Sequence, residues 1–196
     1  NLVVNGSFEE PDYGSGVSYP VPVTGWTIAP DSGFEVWDNY QGPAADGDQY
    51  LELDVFTCNT ISQTIPTSSG SDYLISFAFG ARNGVADNRV QVSWNGTPVG
   101  TVSADGTGQA QIVWTDHSFL VRGAQGSSTL EFTNVDACDG VGAMLDDVTV
   151  LAQEIRVIPA LSPAGAGLLA ALLALSAAVV LRRLRVLLRT IGRQRP

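Results

Sequence analysis

YLISFAFGA, residues 73–81, places Tyr73, Ile75, Phe77 and Phe79 on one side of an extended chain and Leu74, Ser76 and Ala78 on the other. Successive side chains of a strand point to opposite faces, so this alternation describes a strand with one buried side. RVQVSW (89–94) repeats the pattern with Val90, Val92 and Trp94. Asn95-Gly96 then turns the chain into TPVGTV (97–102), and Asn-Gly is the dipeptide best suited to the left-handed backbone of a tight hairpin turn. Working outward, further strands are predicted at 2–4, 25–28, 34–37, 50–55, 61–65, 111–121, 128–134 and 143–151, separated by clusters of Gly, Asp, Asn, Ser and Pro. No stretch before residue 150 sustains a helical period over three turns. Many short strands with regular turns predict an all-β sandwich.

The remaining residues read differently. The chain has 196 residues, and its charge divides it near residue 152. Nineteen of the twenty acids precede that point with only Arg82, Arg89 and Arg122, giving −16; Glu154 and seven arginines follow it, giving +6, for a total of −10. An acidic, lysine-free body repels phosphate backbones, which excludes nucleic acid as a partner of this part. From Val157 to Leu181 there is no charge, and 164–181 is dense in leucine and alanine. Roughly 20 apolar residues cross a bilayer core of about 30 Å.

Leu168, Leu172, Leu175 and Val179, with Arg182, Arg183 and Arg185, are the expected membrane anchor, and the arginines put the C-terminus on the cytoplasmic side. A chain that opens on Asn1 instead of Met fits an export signal already removed. The organisation expected is therefore an extracellular sandwich (1–152), a linker containing IPALSP (153–163), a transmembrane helix (164–181) and a basic amphipathic tail (182–196). Gly167, Ala170, Ala171, Ala174 and Ala178 recur at spacings that permit close helix approach. A homo-oligomeric structural subunit of a filament, sheath or surface array is thus the alternative to a binding protein.

Cys58 and Cys138 both fall in the exported part, where one disulfide is the natural reading; free thiols or an intermolecular bridge are the alternatives. Paired, they would stabilise by about 3 to 5 kcal/mol in the chain-entropy model. The single histidine, His117, and two distant cysteines do not make a zinc set. No serine elbow or cysteine partner accompanies His117, so a non-enzymatic role is expected, with a glycosidase carboxylate pair as the competing idea. Trp26 and Trp114 read as core. Sugar recognition needs aromatic faces with polar neighbours, and Trp37, Tyr40 and Tyr19, with Asp38, Asn39 and Arg82, occur among polar residues in that combination.

The opening NLVVNGSFEEP, then GWTI, DGDQYLELD, ISQTIPTSSGSDYLISFAFGA and the closing GAMLDDVTVL, in that order, resemble the galactose-binding-like jelly rolls of carbohydrate-binding modules and related plant cell-wall proteins. The resemblance spans nearly all of 1–150. It implies a two-sheet jelly roll with its first and last strands adjacent, extracellular, usually non-catalytic, and often binding a glycan or matrix polymer. It also implies a structural Ca2+ near those strands, for which Glu9 and Asp147 are the first ligands and Glu10, Asp146 and Asn5 the reserves, with backbone carbonyls completing the six to eight oxygens that calcium takes. IPALSPAG (158–165), the apolar run and RRLR are similar to the IPTL-CTERM class of bacterial sorting tails. That likeness implies processing by an exosortase-type membrane protease and release or transfer to the cell surface. Ala160 stands where the class has threonine, and the chain continues past the first arginines.

Overall fold

The structure is a computed structural model and describes residues 1–30 and 32–153. The expected transmembrane helix and basic tail lie outside those residues, among which no helix is long and apolar enough to cross a membrane. The described residues form two antiparallel sheets. The six-stranded sheet has the order β1 (Gly16–Val21), β3 (Phe34–Asp38), β4 (Gln49–Glu52), β11 (Met144–Gln153), β6 (Asp72–Gly80) and β9 (Trp114–Arg122). The five-stranded sheet runs β2 (Thr27–Ala29), β5 (Thr60–Thr67), β10 (Gly126–Asn134), β7 (Asn88–Trp94) and β8 (Thr97–Ala104).

The alternation in β6 does what its sequence dictates: Tyr73, Ile75, Phe77 and Phe79 are buried in the layer between the sheets. They meet Val90, Val92, Leu130 and Phe132 of the opposite sheet, and Phe77 sets its ring edge-on to Phe132 at 5.0 Å between centroids. Fully burying each such side chain contributes about 1.5–3 kcal/mol. The Asn95-Gly96 hairpin forms with both residues at positive φ, as the tight β7–β8 turn requires. His117 packs beside Phe77 and Phe79. Trp26 and Trp94 are core residues, their indole N–H groups donating to the Asn5 carbonyl (3.0 Å) and the Arg122 carbonyl (2.7 Å).

Three expectations are corrected. Residues 2–4 are not a strand: Leu2 N donates to the Val150 carbonyl (2.9 Å) and Val148 N to the Gly6 carbonyl (2.9 Å), so the N-terminal segment borders β11 without forming a ladder. GVSYPV (16–21), read from sequence as loop, is the edge strand β1; its proline is tolerated there because an edge strand leaves amide positions unpaired. Trp114 lies on the outer face of its sheet, only part-buried, with its indole N–H donating to the Pro43 carbonyl at 2.8 Å.

Candidate ligand site on the six-stranded sheet

In β3, Phe34 and Val36 enter the main core, which turns Glu35 and Trp37 to the outside of the sheet. In β4, Leu51 points inward and Tyr50 and Glu52 outward. Trp37 pairs with Tyr50 and Glu35 with Glu52 across the β3–β4 ladder. The outer face therefore carries a second cluster, in which Trp37, Tyr50, Ile112 and Met144 pack with Val17 and Trp114.

Arg82 lies over this cluster, its guanidinium carbon 5.0 Å from the centre of the Trp37 ring. Its Nη1 donates to Glu52 Oε1 and to the Gly140 carbonyl, each at 3.3 Å. Glu52 also accepts from the amides of Asp54 (2.9 Å) and Gly142. Burial pushes the Glu52 carboxyl up to about 7 despite these donors, and the neighbouring Glu35 charge adds to the rise. Glu35 is only 8% exposed; its Oε1 accepts the Trp37 indole N–H at 2.6 Å, and burial raises its carboxyl above the ordinary range.

The rim is aromatic. Tyr40 is 59% exposed and sets its ring edge-on to Trp37, 5.1 Å between centroids. Tyr19 (55% exposed) and Phe56 (60% exposed) meet edge-on at 6.1 Å. Tyr19 follows Val17 on the same face of β1, and Val17 pairs with Trp37. The β1–β3 register shifts between Ser18 and Val21, the stretch that holds Tyr19.

The Cys58–Cys138 disulfide joins the loop that bears Phe56 to the loop that bears Gly140 and Gly142. Gly140 N donates to Asp54 Oδ2 (2.9 Å), a second tie between the same loops. The covalent and hydrogen-bonded links thus fix Phe56 and the acceptors of Arg82 as one unit.

The sequence-predicted ligand residues are only partly brought together. Trp37, Tyr40 and Arg82 come together, while Tyr19 lies on the edge strand β1; Trp37 is 1% exposed and serves as the floor under Arg82, with no open face for stacking. Asn39 is spent on its loop, donating to Asp48 Oδ1 and accepting from Ala44 N, both at 3.0 Å. Asp38 ends β3, half-buried. Glu35, Glu52 and Phe56 were missed. FEVWD alternates, so the sequence holds the signal that Glu35 shares a face with Trp37; Phe56 gives none, because its position depends on the disulfide-linked loop.

The five expected calcium ligands differ in their surroundings. Glu9 Oε1 accepts from the amides of Asp48 (2.9 Å) and Gln49 (2.7 Å). Asp146 is buried and accepts from the amides of Ala45, Asp46 and Asp147 at 2.7–3.0 Å; burial raises its carboxyl to about 7. Asn5 ties the Glu10 and Thr24 backbone. The Asp147 carboxyl is raised by burial and by the charges of Asp46 and Asp116. Among the described residues no three His, Cys, Asp or Glu side chains are grouped to hold a metal ion.

No family model matches the chain. It is similar to the multifunctional-autoprocessing repeats-in-toxin of Vibrio vulnificus, 30% identical over 155 residues or 78% of this chain, and to that of Vibrio cholerae serotype O1, 28% identical over 161 residues. The chain spans about 3% of the length of these curated relatives. Among solved structures it is similar to the K1 cleaved adhesin domain of Lys-gingipain from Porphyromonas gingivalis W83, with TM-score 0.55 and 13% identity over 68% of this chain and 94% of that one. TmCBM61, solved in complex with β-1,4-galactotriose, matches with TM-score 0.52 and 19% identity over 78% of this chain and 99% of that one. The fold is thus a carbohydrate-binding-module-like β-sandwich.

Proposed function

We propose that the sandwich is a non-enzymatic glycan-binding domain of an exported, surface-displayed protein, and that the outer face of its six-stranded sheet is the binding face. The observation that carries this reading is the set of exposed aromatic rings on this sheet and its edge, Tyr40 edge-on to the Arg82-capped Trp37 and Tyr19 edge-on to Phe56. Sugars present apolar ring faces and hydroxyl edges, and an aromatic rim with fixed polar groups matches both. The known ligand of TmCBM61 and the adhesin fold of the gingipain domains support the same class. Hydrolysis is disfavoured because a glycosidase needs two carboxyl groups open to one bond, whereas Glu52 has no exposed side-chain surface and is enclosed by Arg82 and two amides. A glycan array probed with the detergent-solubilised full chain tests this: saturable binding that Tyr19→Ala with Phe56→Ala abolishes is expected, and hydrolysis of any arrayed glycan would refute the non-enzymatic part.

The apolar run 164–181 and the arginines that follow it support a C-terminal tether or a sorting tail cut by an exosortase-type protease. Intact mass of the native protein separates the two. A structural Ca2+ at Glu9 and Asp147 belongs to the same reading, supported by the charges of Asp46 and Asp116 that act on Asp147, which a divalent cation would offset. Chelation is then expected to lower Tm in the parent and not in Asp147→Ala; an unchanged parent Tm removes the ion.

A further inference from the structure

Resting on that glycan-binding reading, we infer that the site takes an uncharged saccharide through a vicinal diol, with Glu35 as hydroxyl acceptor and Arg82 as hydroxyl donor, and that it rejects uronate and sulfated chains. Glu35 is the key. Its side chain is more than nine-tenths buried, yet only Oε1 has a partner, the Trp37 indole; Oε2 has no hydrogen bond among the described residues. Nor is Oε2 among the fully enclosed polar atoms that lack a partner. It is therefore an acceptor that reaches the surface from a buried carboxylate. Arg82 is in the complementary position. Nη1 is used by Glu52 and Gly140, while Nε and Nη2 have no partner among the described residues.

The Arg82 charge acts on Glu35, and both groups touch the two sides of Trp37, the guanidinium on its ring and the carboxylate on its N–H. Two adjacent sugar hydroxyls carry two protons to give and lone pairs to accept, so one carboxylate oxygen and one guanidinium edge satisfy a diol together. The exposed Tyr19–Phe56 pair supplies the stacking face.

Charge decides the ligand class. A uronate or sulfate must approach a domain that carries −16 and then sit against Glu35, while Arg82, the nearby cation among the described residues, is already shared with Glu52. Like charges at close range oppose binding, and the whole-domain field lowers the encounter rate as well. An uncharged chain meets neither obstacle, and its hydroxyls leave Glu35 Oε2 paired.

The test is native affinity electrophoresis of the detergent-solubilised full chain in gels containing β-1,4-galactan, β-mannan or hydroxyethylcellulose, against gels containing polygalacturonate or alginate. Retention by at least one uncharged polymer and by neither polyuronate is expected. Cleaving the diols of the retaining polymer with periodate, followed by borohydride reduction, should remove retention by the unaltered protein. Glu35→Gln, which turns the free acceptor into a donor while keeping the Trp37 contact, should weaken it about tenfold, the equivalent of about 1.4 kcal/mol. Equal retention by a polyuronate, or retention that survives diol cleavage, overturns this inference and leaves glycan binding standing. Retention by none of the polymers overturns the glycan-binding reading itself.

Discussion

Replacing Arg82 by alanine removes three things at once: the ion pair to Glu52, the hydrogen bond to Gly140 and the cation over Trp37. The last two do not depend on pH and together contribute about 1 kcal/mol, since the guanidinium keeps 22% of its side-chain surface exposed. The first does depend on pH. Removing one partner of a buried pair costs about 3–5 kcal/mol when the other must remain charged. Glu52 need not, because burial has already raised its carboxyl from 4.5 to about 7. Below pH 7 it is protonated in the folded state and loses little with Arg82.

Above pH 7 the parent domain holds Glu52 ionised with help from Arg82, and the variant does not. Each unit by which that loss raises the carboxyl costs about 1.4 kcal/mol there. Arg82→Ala should therefore lower Tm by about 3 °C at pH 5.5 and about 6 °C at pH 8.5, taking about 3 °C per kcal/mol for a domain of this size. Differential scanning calorimetry at the two pH values measures both. Equal losses, or a larger loss in acid, would refute the reasoning that Arg82 matters chiefly as the counter-charge of a buried carboxylate.

Further outcomes follow from the same geometry. Glu52 and Asp146 both have carboxyl groups raised to about 7 by burial, so the folded state retains protons that the unfolded chain releases between the two ranges; stability should fall as pH rises from about 4.5 to 8, and Glu52→Gln should flatten that slope in pH-dependent melts. Reducing Cys58–Cys138, or replacing both with serine, should cost about 3–5 kcal/mol and weaken glycan retention beyond the loss of stability, because Phe56 and the Gly140 acceptor lose their common link. Gly106→Ala would place a methyl 2.0 Å from the Arg82 carbonyl oxygen, so it should destabilise by about 1–3 kcal/mol and reduce retention, whereas Gly108→Ala, at φ +75° with no atom within 4 Å, should cost about 1 kcal/mol of backbone strain and leave retention unchanged.

The sandwich was legible because its core strands obey a period of two without interruption: β6 and β7 alternate residue by residue, and β10 repeats the pattern with Leu130 and Phe132. β1 was not, since Pro20 in GVSYPV argues against a strand unless that strand is at an edge, and edge position is a tertiary fact. The site divided along the same line. Tyr19 and Tyr40 stand out in the sequence as aromatics among polar residues, with Arg82 as a polar partner, but their exposure and contacts are tertiary facts. Trp37 misled because its neighbours Asp38 and Asn39 look like loop, while the strand pairing with Tyr50 and the cover of Arg82 bury it. Phe56 became visible only once the disulfide had folded its loop towards β1. Glu9 and Asp146 both grip the loop at residues 45–49 through its backbone amides, contacts that depend on tertiary position and leave no mark in the sequence.

The central claim is that the outer face of the six-stranded sheet binds glycan through the Tyr19–Phe56 pair. Its most direct test is isothermal titration of the detergent-solubilised full chain, and of its Tyr19→Ala, Phe56→Ala double variant, with an oligosaccharide of the polymer that retains the parent. Stacking on aromatic pairs of this kind contributes about 0.5–1.5 kcal/mol beyond area burial, and the two exposed rings together should account for a loss of at least about tenfold in affinity at unchanged Tm. Parent-like affinity in the double variant, with the fold intact, would contradict the account and move the binding face elsewhere on the sandwich.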